Sequence, residues 1–196
     1  VKFFTKRKSI QVEAEHLGHL TLSILKGENG NQSRSFERAF QWIRDEAKPE
    51  IINFSNLLIA SLAPTIKREL KIPIVVTLQG DDLFINELKD NHKELVIKEL
   101  KRIAQSVDGF ITFSDFYAQK MSNLLDIPIE KFHIVSLGIN TEPFSNISRE
   151  GSDHRTFGYF GRIAPEKGFH NAVDAFIEIN KNREPKIKML SGGWLG

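Results

Sequence analysis

Short apolar runs alternate with longer, periodic stretches along the chain from Pro49 onward. The runs are rich in β-branched and aromatic residues, which favours strands. They are residues 51–54, 73–78, 109–113 and 132–135. Between them, apolar residues recur every three or four positions, which predicts helices. These helices are residues 56–70, 92–106 and 115–125. Such alternation predicts an α/β fold, a Rossmann-like parallel sheet with helices on both faces.

The first 48 residues give a less regular pattern. Residues 20–25 fit either a strand or the end of a helix, and residues 36–46 predict a helix. Ser55 or Asn56 is expected to cap the helix that follows it, and Ser114 is expected to do the same. Serine and asparagine side chains accept hydrogen bonds from the backbone N–H groups at the start of a helix.

A polar segment, residues 146–155, interrupts the pattern and predicts a linker. A strand, a loop, a helix and a strand follow it, at residues 156–160, 161–168, 169–180 and 186–190. The helix is expected to face inward through Ala172, Val173, Phe176 and Ile177. A single strand–helix–strand unit cannot bury its own faces. We therefore predict a first domain over 1–145 and an incomplete second domain over 156–196.

Composition narrows the functional classes. The chain has 27 Lys and Arg against 25 Asp and Glu, a surplus too small to indicate a nucleic-acid partner. It has no cysteine, which excludes disulfides and thiolate metal sites. The lack of cysteine also fits a cytoplasmic protein, which is the location we predict. No apolar run reaches the roughly 20 residues of a membrane span. The six histidines are scattered, and no metal site is expected; the 15 phenylalanines are expected in the core.

Polar residues follow the predicted strands, at the edge of a parallel sheet where ligands bind. We predict that they line a cleft; they are Asn56, Gln79, Gly80, Asp81, Ser114 and Gly138. Gln79 can hydrogen-bond a ligand hydroxyl but cannot act as an acid or base near neutral pH. Asp81 and Asp82 are expected either to orient hydroxyls or to cap a short helix.

The loop from Gly161 to Gly168 carries the most specific chemistry. It joins a strand to a helix, whose amino end favours an anion. Arg162 and Lys167 add two charges, and the arginine can grip a phosphate through two donors. We predict a diphosphate site in which these cations stabilise a departing nucleoside diphosphate. The alternative is that both are ordinary surface charges. Glu166 is expected to pair with a cation or to cap the helix.

The pattern Gly-Arg-x3-Glu-Lys-Gly in this loop resembles the donor-phosphate loop of the family 4 glycosyltransferases, also called glycosyl transferases group 1. Residues 48–56, 108–114 and 134–144 resemble three further segments of that family, in the same order. The resemblance implies the GT-B fold of two Rossmann-like domains, with the second binding the donor. It assigns Gly161, Arg162, Glu166 and Lys167 to the donor, with Arg162 and Lys167 as the catalytic groups.

The resemblance also implies a reaction. A sugar passes from a nucleoside-diphosphate sugar to a carbohydrate or lipid acceptor, with retention of configuration and with no metal or other cofactor. A lipid acceptor would place the protein at the inner face of the membrane. No nucleic acid is expected.

Two departures from the family leave alternatives open. Gln79 stands where the family often has a histidine near the reacting centre. The family's glycine-rich first loop and its Glu-x7-Glu motif would lie outside the 196 residues, so the chain alone is expected to be inactive or nearly so. The alternatives are a degenerate protein that binds nucleotide sugars without catalysis, and a nucleotide-sugar epimerase on the same fold.

Overall fold

The computed structural model describes residues 14–145 and 155–194. They divide into two compact units, one that ends at Gly138 and one that begins at Ile139. The predicted linker, residues 146–155, lies outside the described residues apart from Arg155.

The first unit contains six α-helices and four strands among its described residues. The helices are α1 (Ala14–Leu25), α2 (Ser33–Trp42), α3 (Ala63–Glu69), α4 (Asp81–Glu87), α5 (Asp90–Ala104) and α6 (Asp115–Leu125). The strands are β1 (Ile52–Phe54), β2 (Ile74–Thr77), β3 (Gly109–Thr112) and β4 (Phe132–Ile134). The second unit contains β5 (Thr156–Phe160), α7 (Phe169–Lys181) and β6 (Lys188–Gly192).

The four strands of the first unit form one parallel sheet in the order β1-β2-β3-β4. In its middle, Val76 pairs with Phe54 on one side and with Phe110 on the other. Val76 and Phe110 are fully buried, and the ring of Phe110 stacks on that of Phe132 at 4.9 Å. The sheet is flanked by helices, which confirms the predicted mixed α/β, Rossmann-like architecture. Burial of such β-branched and aromatic side chains is the main force that holds it together.

The segment left open between strand and helix, residues 20–25, is the end of α1. This helix packs closely on α5. A Cβ atom added at the buried Gly18 would lie 2.5 Å from Cγ of His92, so only glycine fits there without displacing the imidazole.

The single helix predicted at 56–70 is wrong, because the segment breaks in two. Asn56 Oδ1 accepts a hydrogen bond from Ile59 N at 3.1 Å and caps a 3-10 turn at Leu57–Ile59. Pro64 then stands in the first turn of α3. Proline has no N–H to continue a helix that arrives from upstream, yet it suits the first turn of a new one.

The expectation that the phenylalanines lie in the core is wrong for four of them. Phe116, Phe144, Phe157 and Phe160 are each more than half exposed. Ile177 is likewise 52 % exposed, so the buried face of α7 is narrower than predicted. Phe116 lies on α6 of the first unit. The other exposed side chains belong to the second unit, where the described α-helix and two parallel strands cover too little surface to enclose them.

Candidate functional site

Three of the predicted cleft residues line one cavity in the first unit. Gln79 and Gly80 follow β2, and Ser114 follows β3; because parallel strands end at the same edge, their carboxyl ends meet there. The cavity has a volume of about 530 Å³. Its lining also includes Leu78, Asp82, Leu83, Phe113, Phe116, Tyr117, Lys120 and Leu137.

Asp81 lies beneath this edge and does not line the cavity. Its side chain is buried, with 4 % of the residue exposed. One carboxylate oxygen accepts from Leu57 N at 2.7 Å and the other accepts from Gln79 N at 3.3 Å. Asp81 therefore ties the loop after β1 to the loop after β2. Burial is the main cause that raises the pKa of this carboxyl above its ordinary value, against the lowering effect of the Leu57 and Gln79 amides.

The other two predicted cleft residues also lie outside the cavity lining. Asn56 is half-buried and caps the 3-10 turn after β1. Gly138 is exposed, and a Cβ atom added there would meet nothing within 4 Å, so its described surroundings do not require glycine. The structure thus brings together Gln79, Gly80 and Ser114, and leaves Asn56, Asp81 and Gly138 around them.

The turn that presents Gln79 is held by α6. Gly80 has φ +117°, a conformation that favours glycine, and its N–H donates to the Tyr117 hydroxyl at 3.0 Å. The Gln79 side chain donates from Nε2 to the carbonyl oxygen of Ser55 at 3.1 Å. Ser114 caps α6 as predicted, since its Oγ accepts from Tyr117 N at 3.3 Å. Two neighbouring strand ends are therefore locked to one helix.

An acid–cation pair forms the polar side of the cavity. Lys120 Nζ lies 2.6 Å from Asp82, whose side chain is only 6 % exposed. Burial would raise the pKa of Asp82, but hydrogen bonds from Lys120 and from Tyr117 outweigh it, and the pKa lies below its ordinary value of 3.8. Burial and the hydrogen bond to Asp82 raise the pKa of Tyr117, whose hydroxyl therefore stays protonated.

Sequence reasoning missed Tyr117 and Lys120. A weak signal was present, because Ser114, Tyr117 and Lys120 recur every three residues and therefore share one face of α6. Nothing local indicates that this face meets Asp82, which lies 38 residues earlier than Lys120.

We expect Lys120→Met to destabilise the first unit by about 1 to 2 kcal/mol at pH 7, because it leaves a nearly buried carboxylate without its cation. The folded-state pKa of Asp82 is lowered, so its stabilising contribution is present above the ordinary value of 3.8 and is lost as the pH falls through the folded value. Urea unfolding at pH 7 and at pH 3 measures both effects. An equal loss at both pH values would contradict the assignment, and Lys98→Met, at an exposed position of α5, is the control.

The predicted diphosphate loop follows β5 in the second unit. A short 3-10 helix, Pro165–Lys167, ends at Gly168, which has φ +67° and directly precedes α7. A positive φ is a conformation that glycine adopts at no steric cost. Within the described residues, no side chain caps α7, and its first turn carries no acidic residue. Arg162 and Lys167 are both exposed.

The start of this loop is hydrogen-bonded to the end of β6 and to the residues that follow it. Gly161 N donates to Gly192 O at 3.0 Å, and Ile163 N donates to Trp194 O at 2.8 Å. A Cβ atom added at Gly193 would lie 1.9 Å from the Gly161 carbonyl oxygen, whereas one added at Gly161 would meet nothing closer than 3.7 Å. Within the described residues, the close packing of the two backbones at Gly161 and Gly193 therefore requires glycine at position 193. The side chain of Glu166 lies outside what the structure describes.

Among the described residues, no helix is both long and apolar enough to cross a bilayer. Residues 14–145 and 155–194 contain no group of three or more His, Asp or Glu side chains placed to hold a metal ion.

Comparison with known proteins identifies the family. A family model described as Glycosyltransferase Family 4 matches residues 1–143, which is more than half of the chain and covers every strand of the first unit. A comparison with curated protein sequences found no relative that matches. Together with the parallel sheet flanked by helices, the match supports a transferase that acts on sugars, and the chain belongs to glycosyltransferase family 4.

Proposed function

We propose that this chain transfers a sugar from a nucleoside-diphosphate sugar to an acceptor hydroxyl, with retention and without a metal. The bond between the anomeric carbon and the diphosphate oxygen breaks, and a bond from the acceptor oxygen to the same carbon forms on the same face. The acceptor proton passes to the departing phosphate. Gln79 suits this route because an amide cannot take a proton near neutral pH, so the donor's own phosphate is the base.

The observation that carries the proposal is the loop between β5 and α7. Arg162 and Lys167 are exposed there, and the amino end of a 13-residue helix follows with no acidic residue in its first turn. This arrangement suits a diphosphate, since the helix end supplies N–H donors and partial positive charge while the two cations supply full charges. Gly161 leaves room for the diphosphate beside the backbone.

The acceptor in this proposal occupies the first unit, at the carboxyl edge of its sheet. Gln79, Gly80 and Ser114 line the cavity there and offer hydrogen bonds to hydroxyl groups. Asn56, Asp81 and Gly138 act by shaping the loops around it. The protein works in the cytoplasm in carbohydrate biosynthesis, at the inner face of the membrane when its acceptor is a lipid, and it uses neither a cofactor nor a nucleic acid.

A donor screen of the full-length gene product tests the proposal. Nucleoside-diphosphate sugars are incubated with an acceptor mixture of alkyl glycosides and oligosaccharides, and the product is examined by NMR for the configuration of the new bond. We expect release of nucleoside diphosphate together with a glycoside of retained configuration, at a rate that a metal chelator does not change.

Other results of the same screen would replace the proposal. Binding of a nucleoside diphosphate with no turnover of any donor would indicate a degenerate binding protein. A change of sugar configuration in the donor without an acceptor would indicate an epimerase.

A further inference from the structure

The cavity at the carboxyl edge of the first unit has an apolar rim that hydrogen bonding to a sugar does not explain. Leu83, Phe116 and Leu137 are 55 %, 78 % and 74 % exposed, and all three line the cavity. Isolated exposed apolar residues are ordinary on a protein surface, but three around one concavity mark a binding site. The buried Leu78 continues this surface into the floor.

The polar residues of the cavity lining carry no net charge. Lys120 and Asp82 are its charged residues among the described lining, and they pair with each other at 2.6 Å. A lysine ammonium has three N–H donors, and this bond to Asp82 uses one of them. Ser114 and Gln79, whose side chains each carry a hydrogen-bonding oxygen, also line this cavity. A balanced pair with spare donors and acceptors suits a neutral, hydroxylated group better than an anion.

The polar and apolar parts lie close together on one rigid frame. Phe116, Tyr117 and Lys120 are all on α6, so its first two turns contribute an aromatic, a phenolic and a cationic residue to the lining of one cavity. The volume of about 530 Å³ falls within the range of roughly 300 to 1,000 Å³ typical of small-molecule sites. The bond from Gly80 N to Tyr117 fixes α6 to the loop after β2, and the bond from Lys120 to Asp82 fixes it to the first turn of α4.

We infer that the acceptor of this enzyme is amphipathic: a neutral hydroxylated head joined to an apolar tail, as in an alkyl or lipid glycoside. The head lies against Gln79, Ser114 and Lys120, and the tail lies along Leu83, Phe116 and Leu137. That the bound molecule is the acceptor rests on the proposed function. That the cavity prefers an amphipathic molecule follows from its lining residues alone.

Titration of the chain with three probes tests the inference. They are octyl β-glucoside below its micelle-forming concentration, methyl β-glucoside with the same head, and octyl phosphate with the same tail. Amide NMR shifts of Gly80, Ser114 and Tyr117 locate the binding. Each methylene removed from water strengthens binding by up to about fourfold. We expect octyl glucoside to bind at least about tenfold more tightly than either of the other probes.

Two variants distinguish binding at the apolar residues of the cavity from nonspecific hydrophobic binding elsewhere on the surface. Leu137→Ala is expected to weaken octyl glucoside by about three- to tenfold and to leave methyl glucoside unchanged. Leu95→Ala removes a leucine that is 48 % exposed on α5 and outside the cavity lining, and it is expected to change neither. Both positions are exposed, so neither variant should unfold the chain.

Three results would overturn the inference. Equal binding of the two glucosides would show that the apolar tail does not contribute to binding. Tighter binding of octyl phosphate would show that the cavity does not prefer a neutral head. No amide shift at Gly80, Ser114 and Tyr117 with any probe would show that the cavity is not the binding site. The donor screen and the probe titration test different claims, so their results can differ. Transfer to a purely polar acceptor with no octyl glucoside binding refutes this inference alone. Binding that follows the predicted order with no turnover of any donor refutes the proposed reaction alone.

Discussion

Replacing Arg162 with alanine is expected to lower kcat/KM for sugar transfer by about 100- to 1,000-fold, the usual cost of removing one preorganised group that stabilises a developing negative charge. Arg162 is exposed on the loop before α7, where a guanidinium can hold two oxygens of the departing diphosphate. The charge on those oxygens grows as the glycosidic bond breaks, so the loss should fall mainly on kcat. Steady-state kinetics of the full-length gene product provides the measurement.

Two further variants make this result specific. Arg162→Lys keeps the charge but loses the two-pronged geometry, and is expected to recover only part of the rate. Arg183→Ala removes an exposed arginine of the same unit that follows α7, and should leave kcat/KM unchanged. If Arg162→Ala and Arg183→Ala have the same small effect, Arg162 is an ordinary surface charge and the assignment of the diphosphate loop is wrong.

The strands were predictable because their signal is local. Residues 73–78 form a β-branched run between polar flanks, and β2 lies inside it. Ser114 was predictable as a cap for the same reason, since its Oγ bonds to an N–H only three residues away. The break before α3 was also encoded locally, in Pro64. It was missed because the apolar spacing of residues 56–70 suits a continuous helix.

The candidate site was only partly predictable, because its decisive bonds join distant parts of the chain. The rule that ligands bind at the carboxyl ends of parallel strands led to Gln79, Gly80 and Ser114, which the structure places on one cavity. The same rule included Asp81, whose carboxylate instead turns inward to Leu57 N, 24 residues away. The ion pair between Asp82 and Lys120 depends on how α6 packs, which one sequence does not specify.

The buried carboxylate of Asp81 is expected to contribute strongly to the stability of the first unit. Asp81→Ala should destabilise the first unit by about 2 to 4 kcal/mol, because the Leu57 amide loses a bond to a carboxylate and stays buried without an acceptor. Urea unfolding followed by Trp42 fluorescence in a Trp194→Phe background reports on the first unit alone, since these are the only two tryptophans. Glu87→Ala, at the exposed end of α4, is the control and should change stability by less than about 0.5 kcal/mol.

The pH dependence identifies the cause of this loss. The folded-state pKa of Asp81 is raised above its ordinary value of 3.8, so the folded state binds more protons between the two values, and stability falls as the pH rises through that window. Asp82, one residue later, has a lowered pKa and produces the opposite slope. Asp81→Ala should therefore cost most at low pH, whereas Lys120→Met should cost most near neutral pH. If both losses follow the same pH profile, the two carboxyls do not have the separate roles that their contacts indicate: Asp81 as a buried tie between strand ends, and Asp82 as the charged partner of α6.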